Sequence, residues 1–378
     1  MRRISISPRN EWKERVEGLG FTFHSLDNKY WFEEAYYRLT YDEVLKLESA
    51  TAELWDMCLH AVQQIIDNKL YSKFHIKESF IPLIEKSWEE DHPSIYGRFD
   101  FAYKDGKVKL LEFNADTPTS FLEAGVIQWD WLETTGRRDQ FNSIYEKTVA
   151  YWKELIPYLK GVNGTKKLHV ASIRENIEDE ITVGFMQHCA QEAGIEVEFI
   201  YMDDIGWDKE RRMFVDLENQ PIENIFKLYP WEWMMHEEFG ELVTKDLNTL
   251  WIEPAWKMLL SNKAILPVLW DLFPNHPLLL ESRYSPGDMK SYAKKPILSR
   301  EGANVTLVKE GQVLEETDGE YGEEGYIYQE LFELDNFSGN YALIGSWVIG
   351  QESAGIGVRE SDGLITNNVS RFVPHSIE

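Results

Sequence analysis

The stretch Arg98-Phe99-Asp100-Phe101-Ala102-Tyr103-Lys104-Asp105-Gly106-Lys107-Val108-Lys109-Leu110-Leu111-Glu112-Phe113-Asn114 decides how this sequence is read. Alternating patterns flank Lys104-Asp105-Gly106, a turn signal, so the run reads as a β-hairpin. Side chains two apart share a face of a strand, which groups Arg98 with Asp100 and Glu112 with Asn114. Whether the two groups meet depends on the loop. A two-residue Asp-Gly turn pairs Asp100 with Leu111 and sends Asp100 and Glu112 to opposite faces. A three-residue loop, with Gly106 in the left-handed region, pairs Arg98 with Glu112 and Asp100 with Leu110, and gathers all four polar side chains on one face. The three-residue loop is the expectation. Oxygens of Asp, Glu and Asn gathered in this way suit a hard divalent cation such as Mg²⁺. Arg98 beside them suits bidentate phosphate binding. The competing reading is a solvated ion-pair face on an ordinary hairpin.

Upstream, Thr40 and Glu43 make a capping-box pair before a helix expected over Tyr41 to Lys69. Leu47, Leu54, Cys58, Ala61, Val62 and Ile65 recur at helical spacing, so Cys58 belongs to a core stripe and not to a reaction centre. Downstream, Leu168–Ile173, a helix over Glu178–Gly194 and Glu196–Tyr201 form a strand–helix–strand unit, the signature of a parallel sheet. Its first turn holds Glu175, Glu178, Asp179 and Glu180 at the carboxyl end of a strand, where open α/β sheets bind ligands. No GxGxxG is present, and an acidic turn is the wrong host for phosphate. The turn reads either as a helix start complementing the macrodipole or as a site for an amine cation.

The last third mixes a helix expected over Ala255–Phe273 with short strands at Pro296–Leu298, Val305–Val308, Tyr326–Glu330, Tyr341–Ile349 and Gly355–Arg359. Lys263, the Lys294-Lys295 pair and the glycine-containing loop Ser299–Asn304 form a second candidate site: Gly302 permits close backbone approach to a polyphosphate, and lysines neutralise it. The alternation of strands and helices throughout predicts a mixed α/β and α+β architecture.

At 378 residues the chain holds two to three domains' worth of material and needs no disulfide or metal staple. Its formal charge of −26, from 39 Lys and Arg against 65 Asp and Glu, argues against duplex nucleic acid and anionic membrane as partners and favours cations. Cys58 and Cys189 lie far apart without CxxC spacing, as in a reducing compartment. No apolar segment follows Met1-Arg2-Arg3, and the longest apolar run, Ala264–Trp270, falls far short of the ~20 residues of a spanning helix. A cytoplasmic location is the expectation. The nine histidines include no close pair, so the common His-based metal motifs are absent. Paired carboxylates with 14 tryptophans also raise a glycoside hydrolase, but Arg98 and Asn114 beside the carboxylates make the cluster metal-like.

The blocks Arg98-Phe99-Asp100, Leu111-Glu112-Phe113-Asn114-Ala115-Asp116-Thr117-Pro118-Thr119-Ser120, Glu253-Pro254-Ala255-Trp256-Lys257, Asn262–Trp270, Lys295-Pro296-Ile297, Ser299–Asn304 and Gly355–Glu360 together resemble the glutathionylspermidine synthase family, in that order and over nearly the whole chain. The resemblance is to its stand-alone acid–amine ligase branch, which lacks the amidase domain of bifunctional members. It implies an ATP-grasp fold with a preceding α/β (pre-ATP-grasp) domain. The expected organisation is residues 1–160 as an N-terminal helical region plus the metal-binding hairpin, 161–252 as the pre-ATP-grasp domain, and 253–378 as the nucleotide-binding lobes. It implies ATP and Mg²⁺ (two ions) as cofactors, and a reaction in which a carboxylate is phosphorylated and an amine displaces the phosphate. By position, Asp100, Glu112 and Asn114 match the Mg²⁺ ligands, and Arg98 matches the arginine facing the transferred phosphoryl group. Lys263, Lys295, Gln329 and Arg359 match nucleotide contacts, with Arg300, Glu301, Gly302, Ala303 and Asn304 as the flap over the phosphates. Thr117 and Thr119 stand where the synthases carry serines near the acid substrate. Glu178 and Asp179 stand where the synthases present acids to the polyamine. The implied partners are a small-molecule acid, glutathione-like, and an amine, spermidine-like. An ATP-binding regulatory protein that keeps the shell without ligase activity is the alternative.

Overall fold

The computed structural model describes residues 1–26, 29–161, 166–246, 248–367 and 370–378. The helix Tyr41–Asp67 begins as expected: Thr40 Oγ1 accepts from the Glu43 amide at 3.3 Å and Glu43 Oε2 from the Thr40 amide at 3.0 Å. Its apolar stripe, Leu47, Leu54, Cys58, Ala61, Val62 and Ile65, is wholly buried. Each large aliphatic so buried contributes roughly 1.5–3 kcal/mol. The helix lies across strands Tyr341–Ile349 and Glu352–Ser361, and Thr51 Oγ1 meets Ser346 Oγ at 2.6 Å inside that contact. Burial raises the Cys58 thiol far above its ordinary range, which leaves it an inert core residue.

Those two strands belong to an antiparallel sheet of six. Its order is Arg371–Val373, Glu352–Ser361, Tyr341–Ile349, Tyr96–Lys104, Lys107–Asn114, with the short Asp335–Asn336 paired to Tyr341–Ile349. The hairpin is therefore present, but its loop corrects the expectation. Lys104 pairs with Lys107 around a two-residue Asp105-Gly106 turn, with both φ values positive at 53° and 72°. This is the turn that matches strand twist. A β-bulge between Asp100 and Phe101 leaves Leu111 as an extra residue, so Asp100 pairs with Glu112 and Arg98 with Asn114. The polar four still share a face, but the bulge puts them there. On the other face Phe99 stacks on Phe113 with centroids 3.9 Å apart.

A second antiparallel sheet runs Ser282–Arg283, Tyr326–Glu330, Tyr292–Pro296, Thr306–Lys309, Gln312–Glu316. The third is parallel, in the order Leu250–Ile252, Asn224–Lys227, Lys167–Ser172, Glu196–Tyr201, with the helix Ile177–Glu192 as its first crossover. From Lys167–Ser172 the chain first adds a strand on one side and later returns to the other. The carboxyl ends of Lys167–Ser172 and Asn224–Lys227 therefore flank a switch point, the place where such sheets bind ligands.

The single helix expected over Ala255–Phe273 is two pieces, a 3₁₀ turn at Ala255–Leu259 and a helix at Ile265–Leu272. Asn262 makes the break, its Oδ1 accepting from the Ala264 amide at 2.9 Å and its Nδ2 donating to Phe74 O at 2.9 Å. The Lys263 amide leaves the helical ladder for Ile297 O at 3.0 Å. The interruption carries Lys263 to the edge of the five-stranded sheet.

Candidate active site

The three sheets converge on one cleft of about 280 Å³. Its lining includes Arg98, Asp100, Glu112 and Asn114 from the hairpin, Lys295 and Gln329 from the five-stranded sheet, and Ile173 and Leu228 from the switch point. On the hairpin wall Arg98 grips Asp100 with two bonds, Nε–Oδ1 at 2.7 Å and a terminal nitrogen to Oδ2 at 3.1 Å. Its other terminal nitrogen donates to Thr119 O at 2.7 Å. Gly345 lies opposite Asp100 on the neighbouring strand, and a Cβ there would sit 2.7 Å from Arg98 Cδ. The glycine makes room for the arginine. Asn114 Nδ2 donates to Asp100 Oδ2 at 3.0 Å, which turns its amide oxygen away from that contact.

Glu112 faces Lys263 at 3.3 Å and is about one-third exposed to the cleft. Burial works against its charge, but Lys263, Lys295 and Arg98 outweigh burial and hold the carboxyl down to about 2. Burial pulls the Lys295 ammonium down to about 8, with Glu112 opposing. Lys295 Nζ donates to Leu111 O, the carbonyl of the bulge residue, at 2.9 Å and to Gln329 Oε1 at 2.7 Å. Gln329 lies within strand Tyr326–Glu330, and its Nε2 donates to Leu110 O at 3.1 Å, stitching the two antiparallel sheets together. Beside this stitch Leu111, Ala293, Leu307, Phe332, Leu334 and Leu343 form an apolar slot.

Arg300, Glu301 and Gly302 line the cleft; Ala303 and Asn304 do not. Asn304 Oδ1 accepts from the Tyr321 amide at 2.8 Å, so that side chain is spent on shaping the loop. The close approach allowed at Gly302 is to the chain itself, since a Cβ there would lie 2.5 Å from Thr366 O. Arg300 reaches across the cleft: it donates to Thr117 Oγ1 at 2.8 Å, faces Glu232 at 3.5 Å and lies 5.5 Å from the Trp233 ring centroid. Arg359 donates to Asn367 O at 2.6 Å. Arg359 Nε, Ser299 Oγ and Thr366 Oγ1 are buried without a hydrogen-bond partner among the described residues, and all three residues line the cleft. Orphaned donors cost roughly 1–3 kcal/mol each.

The opposite wall is acidic. Of the four carboxylates in the turn after the first parallel strand, only Glu178 and Asp179 line the cleft; Glu180 accepts instead from Tyr201 Oη at 3.3 Å. Asn176 is the N-cap, its Oδ1 accepting from the Asp179 amide at 3.2 Å. Burial first, then Glu178, pushes the Asp179 carboxyl up to about 7. Glu123, buried nearby and bonded by Tyr30 Oη at 2.6 Å, is pushed to about 7 by burial and by Glu178.

Every residue matched by position to the family except Ala303 and Asn304 therefore lines one cleft, while the further candidates Lys294, Glu175 and Glu180 do not. Sequence reasoning missed Glu232 and Trp233, which hold Arg300, and Tyr30 with Glu123. It also missed the partner of Asp116, a buried Lys227 at 2.9 Å. Their signals are single acids and aromatics without a motif.

The family model described as glutathionylspermidine synthase preATP-grasp matches residues 3–378. The chain belongs to this family. Its fold is accordingly an ATP-grasp with a pre-ATP-grasp α/β region. It is 40% identical to a "Putative acid--amine ligase" of Haemophilus influenzae over 99% of both chains. It is 31% identical over 89% of its length to trypanothione synthetase of Crithidia fasciculata. It is 29% identical over 90% of its length to the bifunctional glutathionylspermidine synthetase/amidase of Escherichia coli. The chain spans 56% and 58% of those two longer relatives. Among the described residues no helix is long and apolar enough to cross a membrane.

Proposed function

We propose that this protein is an ATP-dependent carboxylate–amine ligase joining a peptide-like acid to a polyamine-like amine, the glutathionylspermidine named in its relatives being a conjugate of that kind. The observation that carries the reading is the pairing, within one cleft, of an oxygen cluster in which Arg98, Lys263 and Lys295 outweigh burial at Glu112 with an acid pair in which Arg300 only partly offsets burial and Glu178. On this reading residues 161–252 are the pre-ATP-grasp unit, and the nucleotide lobes combine 253–378 with the hairpin.

Asp100, Glu112 and Asn114 offer two carboxylates and an amide oxygen, a hard donor set that fits Mg²⁺. Mg²⁺, when bound there, neutralises charge on the transferring phosphoryl group. Arg98, Lys263 and Lys295 place fixed positive charge on the same phosphates, and the apolar slot takes the base. The orphaned donors of Arg359, Ser299 and Thr366 suit phosphate oxygens. The acid's carboxylate oxygen attacks the γ-phosphorus and ADP leaves; the amine nitrogen then attacks the acyl-phosphate carbonyl, loses a proton and expels phosphate. Asp179, poised near 7, is the acceptor for that proton, and Glu178 holds the ammonium of the same amine. No protein nucleophile is required, because the acyl phosphate is the activated carbonyl. Catalysis is positioning plus charge neutralisation.

A matrix of acids and amines assayed by ADP release, with mass detection of the amide, tests the proposal. ADP formation that requires both substrates is expected. ATP binding without turnover across a broad panel sinks it in favour of a non-catalytic nucleotide-binding protein.

A further inference from the structure

A second cluster lies on the parallel sheet, away from the cleft. Strands Lys167–Ser172 and Glu196–Tyr201 pair in register with Lys167 opposite Glu196 and His169 opposite Glu198, so these four side chains share one face. Asp216 follows the short strand Met213–Val215 and is built into its loop: its Oδ1 accepts from the Glu218 and Gln220 amides, both at 2.9 Å. Its Oδ2 is aimed at His169 Nε2, 3.4 Å away. One ligand atom from each of His169, Glu198 and Asp216 lies within 4.8 Å of the others.

His169 is 1% exposed and Asp216 4% exposed. Neither ring nitrogen of His169 has a hydrogen-bond partner among the described residues. An imidazole always carries at least one N–H, so a buried ring with both nitrogens unpaired is expensive. The Nε2–Oδ2 separation offers an explanation. Two ligands at ~2.05 Å from a tetrahedral ion stand ~3.3–3.4 Å apart, which is a ligand–ligand edge. One imidazole nitrogen and two carboxylate oxygens suit a borderline ion better than Mg²⁺, which prefers octahedral oxygen.

We infer that His169, Glu198 and Asp216 form a binding site for a divalent ion of the Zn²⁺ class, which clamps the 216–220 loop to the parallel sheet. Lys167 is the resident counter-charge in the absence of metal. Its ammonium contacts Glu198, lies 3.9 Å from Asp216 Oδ2 and is about 29% exposed, so it can swing into solvent when an ion takes its place. The site is at the amino-terminal half of a strand whose other end opens into the cleft, roughly 13 Å away at ~3.3 Å per residue. It is separate from the oxygen cluster of the hairpin.

The test uses full-length protein carrying Glu112→Gln, which disables the cleft cluster, stripped with chelator and titrated with Zn²⁺ alone. One Zn²⁺ bound per chain is expected, together with a rise in the thermal midpoint. Glu198→Gln, at a half-exposed position that the fold tolerates, weakens binding by at least ~10-fold. Asp216→Asn weakens it further, and Lys167→Gln, by removing the competing ammonium, tightens it. His169→Gln abolishes binding if it folds; Glu198→Gln decides the matter if it does not. Absence of Zn²⁺ binding at ~100 μM, binding indifferent to Glu198→Gln and Asp216→Asn, or weaker binding in Lys167→Gln each overturns the assignment.

Discussion

The hairpin wall of the cleft carries two carboxylates and three cations close enough to answer one another, whereas the wall made by the first crossover helix carries Glu178 and Asp179 with Glu123 behind them. On the first wall the cations hold Glu112 ionised, down to about 2, despite burial. On the second, burial and mutual repulsion push Asp179 and Glu123 up to about 7. Both walls are acidic and partly buried, so burial does not distinguish them. The difference is whether the protein's cations outweigh burial, as at Glu112, or only partly offset it, as Arg300 does at Asp179 and Arg359 at Glu123. A wall that carries its own counter-charges is organised before substrate arrives. A wall whose acids remain under-compensated is completed by a cationic substrate.

The largest expected effect tests the organised wall. Glu112→Ala and Arg98→Ala each lower turnover by ~10³-fold or more, comparable to or beyond loss of a preorganised transition-state donor. Both variants keep the fold, but Arg98→Ala, which leaves Asp100 buried without its partner, lowers the thermal midpoint more than Glu112→Ala. Wild-type-like ADP release from either variant breaks the assignment of this wall to phosphoryl transfer. Next comes Glu178→Gln combined with Asp179→Asn. Efficiency toward the amine falls ~10–100-fold, while the KM for ATP moves by no more than ~2-fold. If amide forms equally well, or forms only with neutral or anionic amines, the acidic turn is a helix start and nothing more.

A smaller effect tests the packing behind Arg98. Gly345→Ala places a methyl against a side chain already pinned by Asp100 and Thr119, and overpacking of this kind costs ~1–3 kcal/mol. Turnover is expected to fall ~10-fold with ATP affinity nearly unchanged, read from steady-state ADP release and nucleotide titration. An unchanged turnover number means that the arginine position is not critical.

The two walls were also unequally legible in the sequence. Local pattern specified the long helix with its Thr40–Glu43 cap, strands Tyr326–Glu330 and Tyr341–Ile349, and the hairpin itself, because periodicity and capping are properties of neighbouring residues. Asp100 and Glu112 share a face as expected, but not through the expected pairings of Arg98 with Glu112 and Asp100 with Leu110. The turn is the two-residue form that Asp105-Gly106 favours, and register is restored by a bulge at Leu111. That carbonyl is bonded by Lys295 from another sheet, a tertiary contact with no local signature. The break at Asn262 was hidden likewise, because Phe74 O and Ile297 O, both distant in sequence, hold it open. The buried Asp116–Lys227 pair and the Glu232–Arg300 contact unite residues that no motif spacing links. Asn304 was assigned to the cleft by position within its block, but its side chain is used by the turn at Tyr321.

The smallest effect is a pH dependence, and its sign separates Glu112 from Asp179 and Glu123. A carboxyl raised to about 7 in the folded protein holds a proton that the unfolded chain, with values near ~4, has already lost. Between those two values the folded state binds more protons, so stability falls as pH rises through the window, by at most ~1.4 kcal/mol per pH unit for each group. Glu112 behaves oppositely: its stabilising charge is present above ~4.3 and is lost only as pH falls toward about 2. Without substrate, these two groups oppose the stability gained over pH 5 to 7 from buried His375, His169 and His92, whose imidazoliums burial depresses, so Glu123→Gln with Asp179→Asn should make the slope of stability against pH more positive than in the parent protein in chemical denaturation. A polyamine stays cationic throughout this range and binds the ionised acids best, so the rise in thermal midpoint that it produces should grow from pH 6 to pH 8. An amine-induced shift that is constant across this range means that the acid wall is not the amine's counter-charge, and the contrast between the walls then reports on burial alone.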